Sequence, residues 1–459
     1  MSISSLLFTA RDSLTANQMA LSVTGANIAN VNTPGYNRQR ADLITIGTVN
    51  VKGSDAQIGV SVLQVSRIYD RYIDSQIIRQ QQATAYSDAM LQTMQNIEIV
   101  LDDTSGGGIN ELLNRFWASW EDLSYNPAGK LERNALLSTA ATLAGGIVSY
   151  KQSLDAINSE LNRSIADIVP LINDKIREIG DINEQLVSAG GNMGDLNSLL
   201  DKRTIALQEL GSMINISYYE TSDGTINVTM ANGEPLLQGS MAQTFSIVVG
   251  NGKSDIFNSN SAENVNGSIT GGKLGAYIEL QHSILPQYIN NLNDLTNALA
   301  TRVNDLHRGG FDANGNIGLD FFRITDAGNP AASIGINPII SADTNRIAAS
   351  ASVSGDGENA TRLAAVRDEF LMDGGKSSLS SFLATMVGEV GRQTANARSS
   401  SEFQGAVMNY LTNQRESVSG VSIDEEMMLL IKYQMGYSAA GKLCNMVNEM
   451  MDTLMDIAR

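Results

Sequence analysis

Apolar residues near the N-terminus recur in alternating steps of four and three. Ile3, Leu7, Ala10, Leu14, Asn17, Leu21, Thr24 and Ile28 form a heptad seam interrupted only by the two polar residues. The pattern predicts a helix of roughly 26 residues, about 39 Å long. The same rhythm returns at the other end in Leu429, Tyr433, Gly436, Ala440, Leu443, Val447, Met450, Leu454 and Ile457. Ser422 with Glu425 three residues on reads as a capping box for this second helix, and Asp424 to Glu426 put negative charge at the positive end of its dipole. Leu6, Phe8, Met19, Val23, Met427 and Met446 lie off both seams, so a lone two-helix hairpin would leave them wet. Further surfaces are expected to cover them.

Between the ends, helical periodicity covers Ile68 to Val100, Ile109 to Tyr125, and Leu131 to about Val187 with a kink expected at Pro170. Loops are marked by SGGG (Ser105 to Gly108), NPAG (Asn126 to Gly129) and AGGNMG (Ala189 to Gly194), and a helix from Leu196 to Leu210 is expected to be capped by Asp195. Near Ile214 the period changes to two. INISYYE, SDG, TINVTM and ANGE read as strand, turn, strand, turn, and strand-like TFSIVV follows, so Ile214 to Gly272 reads as a small β insertion. Helical pattern resumes from Leu274 to about His307 and from Ala360 to Ser419, broken at DGGK (Asp373 to Lys376). The fold class is therefore mainly α with a small β insertion, the helical body being built from both halves of the chain.

Composition narrows the function. The 459 residues carry a net charge of −18 and a pI near 4.5, which argues against a nucleic-acid groove or an anionic membrane surface as the main partner. Dispersed acidity of this kind keeps a protein soluble. One cysteine, Cys444, allows no intramolecular disulfide and no multi-cysteine metal site; it reads as a buried small residue. With His282 and His307 the only histidines, a His-rich metal centre and a two-histidine relay are poorly supported. MSISSLLFTARDSL has no basic segment and too short an apolar run for a Sec-type signal, and MMLLI (Met427 to Ile431) is too short to span a bilayer. The expectation is a cytosolic protein, or one that leaves by a route reading no cleaved signal.

Candidate chemistry is sparse. FDANGNIGLDFF (Phe311 to Phe322) spaces Asp312, Asn314, Asn316 and Asp320 like a calcium loop, but Ile317 stands where a Gly is required and Arg323 where a bidentate Glu is. An Asx-rich turn ending in a short strand is the better reading. GGGIN and ITGGKLG lack phosphate-loop spacing, no GxSxG or HExxH occurs, and nothing sets two carboxylates across a cleft. No catalytic residue, cofactor or metal site is assigned.

The stretch ANIANVNTPGY (Ala26 to Tyr36) stops the first helix abruptly. Asn30 and Asn32 are expected to take left-handed conformations, and Pro34 with Gly35 suits the middle of a type II turn. Continued to Arg40 as ANIANVNTPGYNRQR, with Asn30, Asn32, Thr33, Pro34, Gly35 and Tyr36 at its centre, it resembles the N-terminal signature of the axial proteins of the bacterial flagellum. The ending with Tyr36, Arg38 and Gln39 is most similar to the hook-associated protein 1 (FlgK) family. Leu199 to Gly239, Gly309 to Phe322 and the C-terminal SGVSIDEEMMLLIKYQMGYSAAGKL agree.

That resemblance implies terminal helices paired as an inner coiled-coil domain (1–60 with 415–459), a mostly helical middle domain (61–213 with 273–414) and an outer β domain (214–272), here compact. It implies a non-enzymatic subunit that joins hook to filament and associates with itself, the hook protein and hook-associated protein 3. The N-terminal seam of Ile3, Leu7, Leu14, Leu21 and Ile28 would carry assembly. The C-terminal seam of Leu429, Tyr433, Leu443, Val447, Met450, Leu454 and Ile457 would carry assembly and binding of a FlgN-type export chaperone. It also implies a cytoplasmic stage before export through the flagellar type III apparatus, with ends ordered on assembly, no nucleic-acid partner and no membrane insertion. A hook or rod subunit, or a secreted polysaccharide-acting enzyme, are the alternatives.

Overall fold

Both terminal seams form helices. α1 (Ile3–Ala29) and α12 (Ile423–Ile457) lie side by side and antiparallel: Asn27 bonds Glu426 at 2.9 Å, while Asn17, ten residues back, sits against Gly436, ten residues on. The computed structural model describes residues 3–51, 54–101, 108–188, 193–352 and 355–457. The expected loops at Ser105–Gly107 and 189–192, and the side chain of Asp195, lie outside that description. The chain divides into two units.

The first unit comprises Met1–Thr84, Leu171–Thr244 and Gln404–Arg459. Between α1 and α12 it holds a long antiparallel hairpin, β1 (Gln39–Val51) with β2 (Ser54–Arg67), bulged between Asp42 and Leu43. This hairpin is not among the expected elements, although Ile58, Val60 and Val62 alternate along β2. Ala41, Val62 and Val65 of the hairpin pack on Ala20 and Val23 of α1, so the off-seam Val23 is covered by the chain itself. Ile68 donates its N–H to Arg38 O and stays extended, and the next helix, α2 (Arg71–Leu101), therefore begins later than periodicity predicts. Asp70 caps it, accepting the N–H groups of Tyr72 at 2.8 Å and Ile73 at 3.2 Å.

The second unit comprises Ala85–Pro170 and Phe245–Phe403. α3 (Ile109–Tyr125) has the predicted bounds, and α4 (Lys130–Ser188) runs through Pro170 without ending. α5 (Met193–Met213) starts before Asp195, so that residue lies inside the helix rather than capping it. The predicted β segment divides. β3 (Ile216–Glu220), β4 (Ile226–Met230), β5 (Pro235–Gln238) and β6 (Met241–Ala242) form one sheet in the first unit, whereas β7 (Phe245–Gly250) and β8 (Lys253–Asn258) form a separate hairpin in the second. Polar side chains on α4 bond each within its own unit: Asn183 bonds Ile226 O and Gly239 O in the first, and Asn158 and Asn162 both bond Gly252 O in the second.

α6 (Gly272–Glu279) continues through a π turn at Leu280–Ile284 into α7 (Leu285–Arg308). A short pair, β9 (Phe322–Ile324) with β10 (Ile334–Ile336), follows, with α8 (Pro330–Ser333), α9 (Pro338–Ala342) and α10 (Glu358–Ala365) around it. α11 (Leu379–Ser419) begins only after DGGK, so the stretch read as helix from Ala360 is largely the short α10 and turns. Within the second unit α3, α4 and α7 bury Phe116, Trp117 and Trp120 with Leu143, Leu295 and Leu299. Phe321 and Phe322 stack edge-on at 5.1 Å and close that core, with Trp120 at 5.4 Å from Phe321.

His307, at the end of α7, is wholly buried against this cluster. Its Nε2 accepts the Ala348 N–H at 2.9 Å, which leaves Nδ1 to donate to Leu319 O; the ring is neutral. Burial pulls its pKa down to about 4. Because the unfolded chain takes up this proton near pH 6.5, the contribution is complete above that value and is lost as pH falls toward 4. Chemical denaturation at pH 7 and pH 5 should show the unaltered protein losing about 2 kcal/mol more than His307→Gln; equal losses would remove His307 from the acid response.

Candidate functional site

The signature turn fastens the two terminal helices. Asn27 is 1 % exposed and uses all of its amide: Nδ2 donates to Gln39 O at 2.8 Å and to Glu426 Oε2 at 2.9 Å, while Oδ1 accepts the Tyr36 hydroxyl at 2.8 Å and the Gln39 N–H at 2.9 Å. Glu426, also 1 % exposed, accepts Arg38 Nε at 2.7 Å with its other oxygen, and Arg38 reaches Glu425 at 2.8 Å. The carboxylate read as half of a capping box is thus committed to Arg38. Burial, together with the carboxylates of Asp201 and Glu426, pushes the Tyr36 phenol up to about 12, so it remains a donor.

A second cluster ties the turn to α5 and α11. Asn37, fully buried, donates to Asp201 at 2.6 Å, and Asp201 accepts Arg67 at 3.0 Å. Arg38 N–H donates to Ser419 O at 3.0 Å. Nearby Asp74 is buried 3.6 Å from Arg415, and desolvation raises its pKa.

The helix stop differs from expectation in one respect. Neither Asn30 nor Asn32 adopts a left-handed backbone; among the described residues only Asn251, Ala262 and Asp373 do so without being glycine. α1 ends because the Asn30 side chain bonds Ala26 O at 2.9 Å and its carbonyl accepts Thr33 N–H at 2.9 Å. Gly35 takes the left-handed position instead, at φ +77°, within a turn closed by Tyr36 N–H to Thr33 O at 3.2 Å. A Cβ there would lie 2.5 Å from Ile205, so only glycine fits. Asn32, Thr33 and Pro34 are exposed.

The seams meet over part of their length. Ala10 and Thr24 of α1, and Ala440 and Val447 of α12, are buried. Ile3, Leu7, Leu14, Leu21, Ile28, Leu429, Tyr433 and Leu443 are half-buried. Met450, Leu454 and Ile457 are 44 %, 51 % and 76 % exposed. The antiparallel register explains the gradient, because it carries Ile3 to about Met450 and leaves the last turns of α12 without α1 beside them. Phe8 and Met19 on α1, and Met427, Met435 and Met446 on α12, are also exposed. Cys444 is half-buried.

The calcium-like segment is a turn. Asp312 Oδ1 accepts the N–H groups of Asn314 and Asn316, both at 2.8 Å, and Oδ2 faces Arg346 at 3.2 Å. No group of three or more candidate metal ligands occurs among the described residues, and no described helix is long and apolar enough to cross a membrane.

Both terminal helices and the helical part between them in the chain coincide with segments that resemble axial proteins of the bacterial flagellum. Three family models match: flagella basal body rod protein over residues 7–37, flagellar hook-associated protein FlgK helical domain over 94–322, and flagellar basal body rod FlgEFG protein C-terminal over 413–457. Flagellar hook-associated protein 1 of Bacillus subtilis is 27 % identical, with 98 % of this chain and 97 % of that one covered. Its Escherichia coli counterpart is also 27 % identical, over 99 % and 100 %. The flagellar hook junction protein FlgK from Burkholderia pseudomallei shares the fold, with a TM-score of 0.68 at 15 % identity over 75 % of this chain and all of that one. The chain belongs to the flagellar hook-associated protein 1 (FlgK) family.

Removing the Asn27 amide strands a buried carboxylate oxygen, the Tyr36 hydroxyl and two main-chain groups. Asn27→Ala should cost about 3 kcal/mol, against under about 1 kcal/mol for Asn30→Ala, both read by urea denaturation. Equal costs would show that Asn27 is not the fastening point.

Proposed function

We propose that this chain is a structural junction subunit of the bacterial flagellum, assembling at the distal end of the hook and connecting it to the filament. The observation that carries the reading is the terminal pair itself: α1 and α12 are locked together by Asn27, Arg38 and Glu426, yet α12 keeps an apolar stripe uncovered along its length. Subunits in a tube would cover such stripes through heterologous contacts. In this reading the work is done by subunit contacts and no catalysis is involved.

The division into an inner coiled coil (1–60 with 415–459), a helical layer (61–213 with 273–414) and an outer β part (214–272) belongs to the same proposal. So do the partners: further copies, the hook protein, hook-associated protein 3, the type III export apparatus and a FlgN-type chaperone on α12. The protein would pass through the cytoplasm and end outside the cell. A fragment spanning 422–459 should retain that chaperone in a pull-down, and no retention would remove it from the partners.

A deletion strain should carry hooks without filaments in electron micrographs and lose flagellin to the medium. Absent hooks would move the chain to the rod or hook, and normal filaments would end the structural reading. Complementation with Leu443→Asp or Leu14→Asp should fail while the purified variants keep a folded body, because a carboxylate in the seam has no partner.

A further inference from the structure

The first unit has a surface that the terminal pair does not use. The opening turns of α2 set Arg71, Tyr72 and Arg79 beside Tyr218 of β3, around an open cleft of about 580 Å³. Arg71 has a carboxylate there, Glu220 at 3.3 Å. Arg79 is exposed and, among the described residues, its side chain has no hydrogen bond or ion pair. Tyr72 is 68 % exposed. In a chain of net charge −18 a cleft lined by two guanidinium groups and two phenol rings is a local exception, and its complement is an acidic surface.

The same unit carries such a surface on α4. Asp174 and Glu178 are paired with Arg177 and Lys175, but Asp181 and Glu184 are exposed and, among the described residues, have no ion pair. Three residues apart, they share one side of the helix and can both reach one guanidinium. Among the described residues neither carboxylate pairs with Arg79 within one copy. The sheet runs β3, β4, β5, β6; α2 meets its β3 edge, where Gln82 donates to Ile216 O, whereas α4 lies against β4 and the end of β5 through Asn183. α5 touches both helices, α2 at Gly211 and α4 through Glu209 and Lys175.

A basic cleft beside α2 and free carboxylates on α4 are two different surfaces of one unit and so form the two halves of a head-to-tail contact, which builds a ring or a helical array. We infer that the cleft receives the Asp181 and Glu184 face of α4 from a second copy of this chain, with Arg79 between the two carboxylates and Tyr72 beside it. The contact deepens the junction reading and rests on it.

Charge reversal tests it. In the deletion strain, Arg79→Glu alone, or Asp181→Lys with Glu184→Lys, should lower the protein retained on isolated hooks about tenfold, and the three together should restore it to within about twofold. Reversals without effect, or a combined swap that fails to rescue, would overturn the contact. All these positions are exposed, so purified variants should melt like the unaltered protein; any that do not are replaced by Arg79→Ala and Asp181→Asn with Glu184→Gln, whose losses should not add when combined. Additive losses would also overturn it. Absence of the unaltered chain from hooks would sink the junction reading together with the contact. Its presence with unaffected reversals would sink the contact alone.

Discussion

Glu426 is a carboxylate buried at the start of α12, and the terminal architecture depends on its having partners. An unpaired buried charge costs several kcal/mol, so the helix can seat only where Asn27 and Arg38 meet it. Those two residues are brought there by the turn that follows α1. Asn27 in turn can face Glu426 only because Tyr36 and Gln39 take its carbonyl oxygen. One polar knot therefore sets the register of an otherwise apolar and repetitive helix pair, which a four-three seam alone would allow to slide by a heptad.

The knot also shapes what the pair leaves open. With the register set, α12 runs past the start of α1, and Met450, Leu454 and Ile457 emerge into solvent. The hairpin covers another side of α1 through Ala41, Val62 and Val65 but leaves Phe8 and Met19 exposed. Apolar helix surface of this extent is what the proposed assembly would cover, and methionine, flexible and polarizable, suits an adaptable contact face.

The central body works differently. In the second unit the aromatic cluster of Phe116, Trp117, Trp120, Phe321 and Phe322 joins α3 to the segment that opens β9, and the Asx turn at Asp312 brings that segment back. The spacing that resembles a calcium loop serves this turn, with Asp312 held by main-chain N–H groups and by Arg346. The neutral His307 closes the same core by accepting from one strand of backbone and donating to another.

The sequence by itself determined the terminal helices, the extents of α3 and α4, the place where period three-and-four gives way to period two, and the type II turn at Pro34 and Gly35. All of these follow from local spacing or from residues whose backbone freedom is special. It also carried the signature from Asn30 to Tyr36, but not the reason for it: Asn27, Asn37 and Glu426 act through partners 9 to 399 residues away, and no local pattern marks a buried polar side chain. The β1–β2 hairpin has a local mark only in β2, where Ile58, Val60 and Val62 alternate; β1 runs Ile44, Thr45 and Ile46 without alternation, so its pairing is set by the tertiary structure. Tertiary structure alone decided that the β segment is shared between two sheets, because Asn183 and Asn162 lie on one helix and hold different strands. It alone decided which seam residues are covered, since burial depends on where a partner helix begins and ends.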